Sequence, residues 1–597
     1  MPILLHRKNF KHLLMPICLS LFVTSCSNLM EISPPSLLQQ DANASSDYYI
    51  RHIKQAQNLE EQQDYKLLAA RVLIKENKIA QAKAMLASLQ ELNEEQNIDK
   101  ILTSAYLASV EHQDNQANSL LSSLDFAKLN VAQQIRFYRV KAAIAKDNND
   151  LLAAINEHTK IDALLNDVQK KQRNNDQTWA LLQQANPDLI NAADAYTNDP
   201  ILKGWLDLAK TYHNNINNPT NLRTSLQNWK LAHPNHVATY LFPQDLQRIF
   251  NFQHINVDRV ALILPLSGRA QLIGKTVKQG FESQAGQYIP IQTFDSASMP
   301  ISQIMQDIKM QGFTNVVGPL LKQNVNQLQA HPEWTEGLNI IALNTTPNIY
   351  SSPNLCYYSL SPEDEAVAAA NEMWKNNITQ PMVLMPQNSL GHRVANAFNA
   401  RWQQLANTDA NIQYYTQANN VLPILEAGLQ NQIQAVYTLG NNDQLASIKT
   451  AVDNTNSSLK VYTSSRINSP NNLPAYRMLM NNVKFSDIPL FKEHENDEFK
   501  KIAQANRQDY SLMRLYAMGE DAWQLINHFN ELRQIPGFSI DGLTGKIHAS
   551  NYCNMKREMT WFTFNNGNVE LLQEGSNLSK EETTPTNSPD QTIEIEQ

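Results

Sequence analysis

The chain has 597 residues, of which 42% are hydrophobic and 18% charged, and its formal net charge is −8. This length is too great for one hydrophobic core and predicts several compact units of about 150 residues each. The small net charge, without a basic stripe carrying interleaved aromatic residues, argues against nucleic acid as a partner.

Residues 1–25 have the order of a lipoprotein signal peptide. A basic start, an apolar run and a small-residue cleavage region follow one another in Arg7, Lys8 and Lys11, then Leu13 to Val23, then Thr24-Ser25-Cys26. This is the order of a secretory signal, but it ends on a cysteine. The pattern resembles a bacterial lipobox, which is cut between Ser25 and Cys26 and carries its lipid on Cys26. An ordinary signal with a chance cysteine and an uncleaved anchor helix are the alternatives, although the apolar run is shorter than the ~20 residues of a spanning helix.

Lipidation at Cys26 predicts an exported, membrane-anchored chain, because two or more acyl chains on one residue anchor a protein stably. Ser27, in place of Asp, resembles the outer-membrane sorting signal of enteric-type bacteria. Export also removes the chain from cytoplasmic ATP. Residues 26–46 are rich in Ser, Pro, Gln and Asn, and we interpret them as a linker leaving the membrane.

Two cysteines remain after the signal and the lipidated residue, Cys356 and Cys553. In an oxidising compartment they are candidates for a structural disulfide, and two isolated buried thiols are the alternative. The chain has no Cys-x-x-Cys motif that would indicate a redox site.

Residues 47–250 have helical periodicity that repeats. Small residues recur at about the tetratricopeptide period in two series, Ala70, Ala105 and Ala142, and Ala82, Ala117 and Ala153. Small residues at these places allow paired helices to approach closely. The pattern predicts a tetratricopeptide-like helical array, with a plain helical bundle as the alternative. Such arrays present surfaces for docking rather than catalytic groups.

Residues 257–573 change to short apolar runs separated by amphipathic stretches. The runs lie at 260–264, 289–291, 315–318, 340–343, 382–385, 435–439 and 459–462. Buried strands that alternate with helices indicate parallel, doubly wound sheets, and this many strands predicts two α/β lobes. The polar residues 574–597 have no apolar periodicity and predict a disordered tail.

A phosphate-loop look-alike lies at Gly268 to Thr276, after the first strand and ending Gly-Lys-Thr. Five residues separate its glycines where the phosphate-binding motif has four, so we expect no bound nucleotide. The chain also lacks Ser-x-x-Lys with Lys-Thr-Gly, His-Glu-x-x-His and Gly-x-Ser-x-Gly. We therefore predict no catalytic residues, no cofactor and no metal site.

Several segments of the α/β region resemble the class I periplasmic-binding-protein fold. They are Leu264 to Gly268, Val317 to Leu320, Tyr516 to Trp523 and Gly542 to Gly545. Three further segments are similar to one subgroup, the LpoA-type outer-membrane lipoprotein activators of penicillin-binding proteins. These are Ser464-Ser465-Arg466, Phe485 to Pro489 and Leu532 to Phe538. The lipobox, the helical array and the binding-protein module also stand in that family's order.

This resemblance implies a non-enzymatic protein that reaches from the outer membrane into the periplasm and stimulates a class A penicillin-binding protein, a bifunctional peptidoglycan synthase. The alternative is a solute receptor with a small ligand between the lobes. Amino-acid-binding relatives usually carry Ser or Thr after the glycine that corresponds to Gly318, where this chain has Pro319. That difference weakens the receptor interpretation, although Asn344, Thr345 and Thr346 still offer polar groups. The residues that would bind the partner are not identifiable from the sequence.

Overall fold

The computed structural model describes residues 36–572, apart from residues 347, 348, 350, 456, 493 and 495 and the side chain of Asn551. The chain forms two compact units, which divide between Ala185 and Asn186. The predicted signal peptide at 1–25 and the predicted disordered tail at 574–597 lie outside the described residues.

Helices alone build the described part of the N-terminal unit. They are α1 (Ser46–Ile53), α2 (Leu59–Lys75), α3 (Ile79–Ala87), α4 (Glu94–Val110), α5 (Asp114–Ser122), α6 (Val131–Asp147), α7 (Leu151–Leu164) and α8 (Val168–Gln184). Helices α2, α4 and α6 begin at residues 59, 94 and 131, which are 35 and 37 residues apart, and their partners α3, α5 and α7 keep the same intervals. The predicted tetratricopeptide-like repeat is confirmed.

The same asparagine cap starts each repeat. The side chains of Asn58, Asn93 and Asn130 each accept a hydrogen bond from the backbone N–H three residues later, at 2.8 to 2.9 Å. Asparagine is a preferred N-cap because its oxygen satisfies a donor that the helix leaves free. The repeat in cap and period shows that one supersecondary unit is used three times.

Small residues lie where the paired helices meet, as the period predicts. The buried positions are Ala70, Ala105 and Ala142 in the first helices and Ala82, Ala117 and Ala154 in the second. Ala153, predicted for the last position, is only half-buried. The second interval between repeats is two residues longer than the first, and this places the neighbouring alanine, Ala154, in the contact.

The C-terminal part of the predicted linker packs on the helices instead of lying free. Leu38 is buried, and its carbonyl oxygen accepts hydrogen bonds from Arg71 at 3.2 Å and Arg136 at 3.1 Å. Asp41 pairs with Lys170 at 2.7 Å. A composition rich in Ser, Pro and Gln does not show that a leucine among these residues has an apolar site to fill.

The second unit begins with further helices, α9 (Pro187–Tyr196), α10 (Pro200–Asn215), α11 (Pro219–Ala232), α12 (Val237–Tyr240) and α13 (Gln244–Phe250). The sequence change at residue 257 therefore marks the start of the α/β pattern, whereas the compact unit starts at Asn186. The predicted helical domain of 47–250 is divided between the two units.

Two mixed sheets follow. The strands are β1 (Val260–Leu264), β2 (Ile291–Asp295), β3 (Asn315–Val317), β4 (Asn339–Ala342), β5 (Leu355–Tyr357), β6 (Pro381–Pro386), β7 (Asn411–Tyr415), β8 (Ala435–Thr438), β9 (Lys460–Thr463), β10 (Lys484–Asp487), β11 (Ser539–Gly542), β12 (Gly545–Ser550), β13 (Asn554–Glu558), β14 (Thr560–Asn565) and β15 (Asn568–Leu571).

The helices among these strands are α14 (Gln271–Ala285), α15 (Ile301–Met310), α16 (Lys322–Ala330), α17 (Pro362–Lys375), α18 (Ser389–Ala406), α19 (Leu422–Gln430), α20 (Asn442–Asn454), α21 (Pro474–Leu479), α22 (Asp497–Ala505), α23 (Tyr510–Asn527) and α24 (Phe529–Gln534). They pack on the sheets and bury the apolar strands between them.

Both sheets have the same parallel core. The first has the order β2-β1-β3-β4-β5 followed by β13, β12 and β11, and the second has β7-β6-β8-β9-β10 followed by β14 and β15. An order of 2-1-3-4-5 is a doubly wound α/β arrangement, repeated here in two lobes. The predicted two-lobed, class I periplasmic-binding-protein-like module is confirmed.

Candidate functional site: the hinge and cleft of the two-lobed module

The chain passes between the lobes three times, and a buried polar group lies at these crossings. The crossings are the connection from β5 to α17, helix α23, and the connection from β13 to β14. Four buried side chains form this group, which we call the hinge cluster: Tyr358, Asp521, Thr544 and Arg557. Each crossing thus contributes to one hydrogen-bonded group.

Asp521 is the centre of the hinge cluster. Its carboxylate accepts hydrogen bonds from the N–H groups of Leu543 and Thr544, both at 2.8 Å, and from the Thr544 hydroxyl at 2.6 Å. The Tyr358 hydroxyl lies 3.2 Å from the same carboxylate. Burial raises the pKa of Asp521, and the hydrogen bonds from Thr544 and Leu543 oppose that shift. Asp521 in α23 thereby fixes the turn between β11 and β12.

A second buried group lies at the other end of α23, within the second lobe. Arg514 donates to both carboxylate oxygens of Asp487, at 2.8 and 2.6 Å, and its guanidinium lies over the ring of Phe491. Asn468 also donates to Asp487, at 2.9 Å. A bidentate arginine–carboxylate pair of this kind fixes the relative orientation of the two side chains as well as neutralising their charges.

The same region holds the N-terminus of α17. Glu365 accepts hydrogen bonds from the N–H and the hydroxyl of Ser465, at 2.8 and 2.9 Å. Burial raises the pKa of Glu365. The segments at 464–466 and 485–489, which carry the family resemblance, therefore build the anchor of α17 and α23 in the second lobe.

Helix α23 crosses helix α14 at unusually short range. A Cβ atom added to Gly280 would lie 1.9 Å from the carbonyl oxygen of Tyr516, and one added to Gly519 would lie 2.2 Å from that of Val277. Only glycine fits at both positions, because no side-chain atom can approach a backbone oxygen so closely. This crossing fixes α23 to the first lobe.

Between the lobes lies a cleft of about 680 Å³. Apolar side chains form much of its wall, including Leu320, Leu321, Leu343 and Met518. Its size lies in the range of small-molecule sites. Volume alone therefore does not distinguish a ligand site from an unused cleft.

Four of the five charged side chains that line the cleft form ion pairs with each other, and the fifth, Lys322, is exposed. Asp364 pairs with Lys556 at 2.7 Å, and Glu363 pairs with Arg393 at 2.7 Å. The first of these pairs joins α17 of the second lobe to β13 of the first. A free amino acid would have to displace one of these pairs to place its ammonium group on a carboxylate of the cleft.

Two of the three polar side chains considered from sequence, Asn344 and Thr346, are already hydrogen-bonded within the protein. Asn344 donates to the carbonyl oxygen of Leu320 at 2.9 Å, and Thr346 donates to Gln329 at 2.6 Å. Among the described residues, the buried hydroxyl of Thr345 has no hydrogen-bond partner. A single threonine hydroxyl offers few hydrogen bonds to a solute, so these residues give little support to a solute site.

The phosphate-loop look-alike has a different geometry from a nucleotide site. Gly274 lies inside helix α14, Lys275 is exposed, and the Thr276 hydroxyl donates to the carbonyl oxygen of Leu272 at 2.9 Å. The helix thus begins before the second glycine, and its threonine is bonded within its own helix.

Cys356 and Cys553 are joined in a disulfide, with Cα atoms 4.7 Å apart. The bond links β5 to the turn before β13, and the two strands pair in parallel at Tyr357 and Asn554. It lies beside two of the three crossings between the lobes.

The segment 532–538 is a contact with the helices that precede the module. The Tyr212 hydroxyl donates to the carbonyl oxygen of Pro536, and the side-chain oxygen of Asn217 accepts from the N–H of Ser539 at 3.0 Å. Both contacts lie within the second unit. They explain why helices α9 to α13 belong to it.

A group missed from the sequence lies nearby, where ligand atoms of His254, His528 and Glu531 are within 4.8 Å of one another. Nδ1 of His254 lies 2.5 Å, and Nδ1 of His528 lies 3.3 Å, from the same Glu531 oxygen. His254 and Glu531 are 277 residues apart in the chain, so no local pattern brings them together. Here both imidazoles contact the Glu531 carboxylate, and the contact of His254 holds this residue to α24.

The predicted cleavage and lipidation positions, Ser25 and Cys26, lie outside the described residues. Among the helices of residues 36–572, none is long and apolar enough to span a membrane.

Comparison with known proteins identifies the family. Residues 39–567 match the family model described as "LppC putative lipoprotein". The chain belongs to this family. The match covers both units, so the helical array and the two-lobed module are parts of one family architecture.

Members of the family include curated proteins named penicillin-binding protein activator LpoA. The protein of Histophilus somni (strain 2336) is 48% identical over 96% of this chain and 98% of its own length. That of Pasteurella multocida (strain Pm70) is 49% identical over 96% of this chain and 100% of its own length. These relatives are named as activators rather than as enzymes.

Solved structures of the family have the same architecture. A structure of Haemophilus influenzae LpoA matches with a TM-score of 0.77 and 45% identity, over 90% of this chain and 99% of its own. The C-domain of Haemophilus influenzae LpoA, described as a regulator of PBP1A, matches with a TM-score of 0.51 and 44% identity, over 53% of this chain and 100% of its own.

Proposed function

We propose that this protein is a non-enzymatic lipoprotein of the outer membrane that faces the periplasm and stimulates a class A penicillin-binding protein. The observation that carries the proposal is the family match, since relatives named penicillin-binding protein activator align over 98% and 100% of their length. The module has a binding-protein fold, but both carboxylates of its cleft are paired with cations of the same cleft. These features suit a module that docks on a protein.

Activation is a shift in the population of synthase conformations. Binding stabilises the active form to the extent that the activator binds it more tightly than the inactive form. The interface needs no catalytic group on the activator, in keeping with the absence of the transpeptidase motifs.

The deciding experiment adds the mature, lipid-free chain to the purified class A synthase of the same organism and measures cross-linked muropeptides. We expect a concentration-dependent rise in cross-linking, and no rise with the same chain after irreversible heat denaturation. Binding that saturates without any change in cross-linking would contradict the function while leaving the complex intact.

The solute-receptor alternative makes a different prediction. A ligand that binds only the folded state raises its melting temperature by mass action. We expect amino acids and peptidoglycan fragments at millimolar concentration to leave the melting temperature unchanged. A reproducible rise, together with closure of the lobes in small-angle scattering, would favour the receptor.

The location is tested at the signal sequence. Cys26→Ala is expected to abolish incorporation of labelled palmitate. Ser27→Asp is expected to move the protein from the outer-membrane to the inner-membrane fraction of a sucrose gradient, and the matched Ser27→Ala is expected to leave it in place. Unchanged fractionation of both position-27 variants would show that sorting in this organism does not depend on this residue.

A further inference from the structure

A cavity of about 480 Å³ lies within the N-terminal unit, apart from the two-lobed module. Its wall comes from helices α2, α4 and α6, from the start of α8, and from the packed segment 39–42. The apolar part of the wall includes Leu102, Tyr106, Val131 and Ile135. The volume is that of a small-molecule or short-peptide site.

The charges around this cavity are unbalanced. Five cationic side chains line it, against the two carboxylates of Asp41 and Asp167, and the cations are Arg71, Lys75, Arg136, Arg139 and Lys170. A neighbouring pocket of about 380 Å³ shares Arg139 and Lys170, adds Lys146 and Arg173, and has no carboxylate in its wall. The two pockets together form a positively charged concave face.

The floor of the cavity consists of fixed, buried groups. Arg71 is 7% exposed, and it shares the single carboxylate of Asp99 with Arg136, each at 2.6 Å. Burial, and next to it the charge of Arg71, lowers the pKa of Arg136 to about 10. The guanidiniums of Arg71 and Arg136 therefore share the Asp99 carboxylate as their counter-ion at a site that is largely shielded from water.

Two observations indicate that a ligand completes this arrangement. Thr103, a residue only 3% exposed, belongs to the wall of the cavity, and its hydroxyl has no hydrogen-bond partner among the described residues. At the rim, Lys75 and Arg139 make no ion pair with any described residue. A buried polar group without a partner is costly, so its presence is a reason to look for a ligand.

The chain's own N-terminal segment shows what kind of group fits. The Leu38 carbonyl oxygen accepts from both floor arginines, and the Asp41 carboxylate pairs with Lys170 at 2.7 Å. A peptide backbone and a carboxylate therefore already occupy one edge of the cavity. The remaining space keeps unpaired cations beside an apolar wall.

We propose that this cavity binds an acidic peptide, with its carboxylate on Arg139 and Lys75 and its apolar side chains against Tyr106 and Ile135. The guanidinium of an arginine matches a carboxylate with two parallel hydrogen bonds. Phosphate would be attracted by the same charges, but it would leave the apolar wall unused. The site is independent of the proposed activation of the synthase.

The test uses the full mature chain and isothermal titration calorimetry with the probe acetyl-Leu-Leu-Asp, which has a free C-terminal carboxylate. Its uncharged counterpart is acetyl-Leu-Leu-Asn amide, and inorganic phosphate is titrated separately. We expect the acidic probe to bind and the uncharged probe to bind at least about 10-fold more weakly, since charged hydrogen bonds are about twice as strong as neutral ones. Affinity should fall as salt concentration rises.

The variants are expected to change the affinity for the acidic probe in opposite directions. Arg139→Gln should weaken the acidic probe at least about 10-fold, and Thr103→Val should weaken it several-fold. Asp41→Asn should tighten it, because this change removes a negative charge that neutralises Lys170. Arg51→Gln, at an exposed position on α1 outside the cavity, is the matched control and should change nothing. Melting curves of each variant establish that the fold is retained.

Equal binding of the two peptides would overturn the proposal, as would equal effects of Arg139→Gln and Arg51→Gln. Tighter binding of inorganic phosphate than of the acidic peptide would also overturn it, in favour of a phosphate site. Retained binding in Arg139→Gln with tighter binding in Asp41→Asn would place the carboxylate elsewhere in the cavity and contradict the stated contacts.

Discussion

Two buried aspartates of the module are stabilised in different ways. The charge of Asp487 is neutralised by its bidentate contact with Arg514. Asp521 instead accepts hydrogen bonds from the N–H groups of Leu543 and Thr544 and from the hydroxyl of Tyr358. A buried carboxylate is tolerated only when charge pairing or hydrogen bonds replace its lost hydration. Both residues lie in or against α23, so each is an attachment point of that helix.

Removing the charge of Asp487 should destabilise the module strongly. Asp487→Asn keeps the shape of the side chain but leaves the Arg514 guanidinium buried without a counter-ion, which costs about 3–5 kcal/mol. The measurement is the free energy of unfolding in urea.

The matched control is Asp453→Asn, which breaks the exposed pair of Asp453 with Lys449. Exposed pairs of this kind contribute about 0.5 kcal/mol or less. Similar effects of the two substitutions would show that the buried pair does not stabilise the lobe.

The bond between Cys356 and Cys553 is expected to form in the exported protein. It closes a loop of 197 residues, and its loss, in the double variant Cys356→Ala with Cys553→Ala, should cost about 2–5 kcal/mol. Non-reducing peptide mass spectrometry of protein isolated from cells without reductant detects the linked pair. Free thiols that react with a maleimide before reduction would contradict the bond.

At the scale of elements, the crossing of α14 and α23 leaves no room for a side chain at Gly280. Gly280→Ala should destabilise the module by about 3 kcal/mol, because the added methyl overlaps the carbonyl oxygen of Tyr516 and forces the helices apart. Thermal unfolding measures the loss. Gln279→Ala, at an exposed position of the same helix, is the control and should be nearly neutral. Alanine is a better helix former than glycine, so an unchanged or raised melting temperature of Gly280→Ala would contradict the tight crossing.

Packing between the repeats also creates a pH dependence. Burial raises the pKa of Asp64 to about 6, and the carboxylates of Glu60 and Glu95 add to the shift. Because this folded-state pKa lies above the unfolded value of 3.8, the stability linked to Asp64 is present below about pH 4 and is lost as pH rises through 6.

Asp64→Asn should therefore raise the melting temperature at pH 7.5, by the equivalent of about 1 kcal/mol after allowance for solvent screening, and change it little at pH 4. Gln116→Ala, at an exposed position on α5, is the control and should give the same difference at both pH values, because neither side chain titrates. An equal effect of Asp64→Asn at both pH values would contradict the raised pKa.

The strands show which elements are visible in the sequence. The central strands β1, β3, β4, β6, β8 and β9 are apolar runs, because helices cover both of their faces. The sequence pattern did not predict edge strand β7. It placed β2 at residues 289–291, whereas the strand lies at Ile291–Asp295. Both have exposed or half-buried residues at most positions, so their sequences lack a continuous apolar run.

At the scale of the whole molecule, the second compact unit begins at Asn186, whereas the α/β sequence pattern begins only at residue 257. A fragment of residues 257–572 should fold, since the corresponding C-domain of the Haemophilus influenzae relative forms a solved structure. A fragment of residues 187–572 should melt about 5 °C higher, because it keeps the contacts of Tyr212 and Asn217 with residues 536 and 539. Equal melting temperatures would show that helices α9 to α13 add nothing to the module.

The sequence by itself determined the features that depend on neighbouring residues. The signal with Cys26, the helical period, the buried central strands and the family motifs are patterns within short windows of the chain. The tertiary structure decided the rest, namely the hinge cluster, the pair of Arg514 with Asp487, the cavity around Arg71 and the unit boundary at Ala185. These features join residues that lie far apart in the sequence, and their free energies depend on burial, which no local pattern specifies.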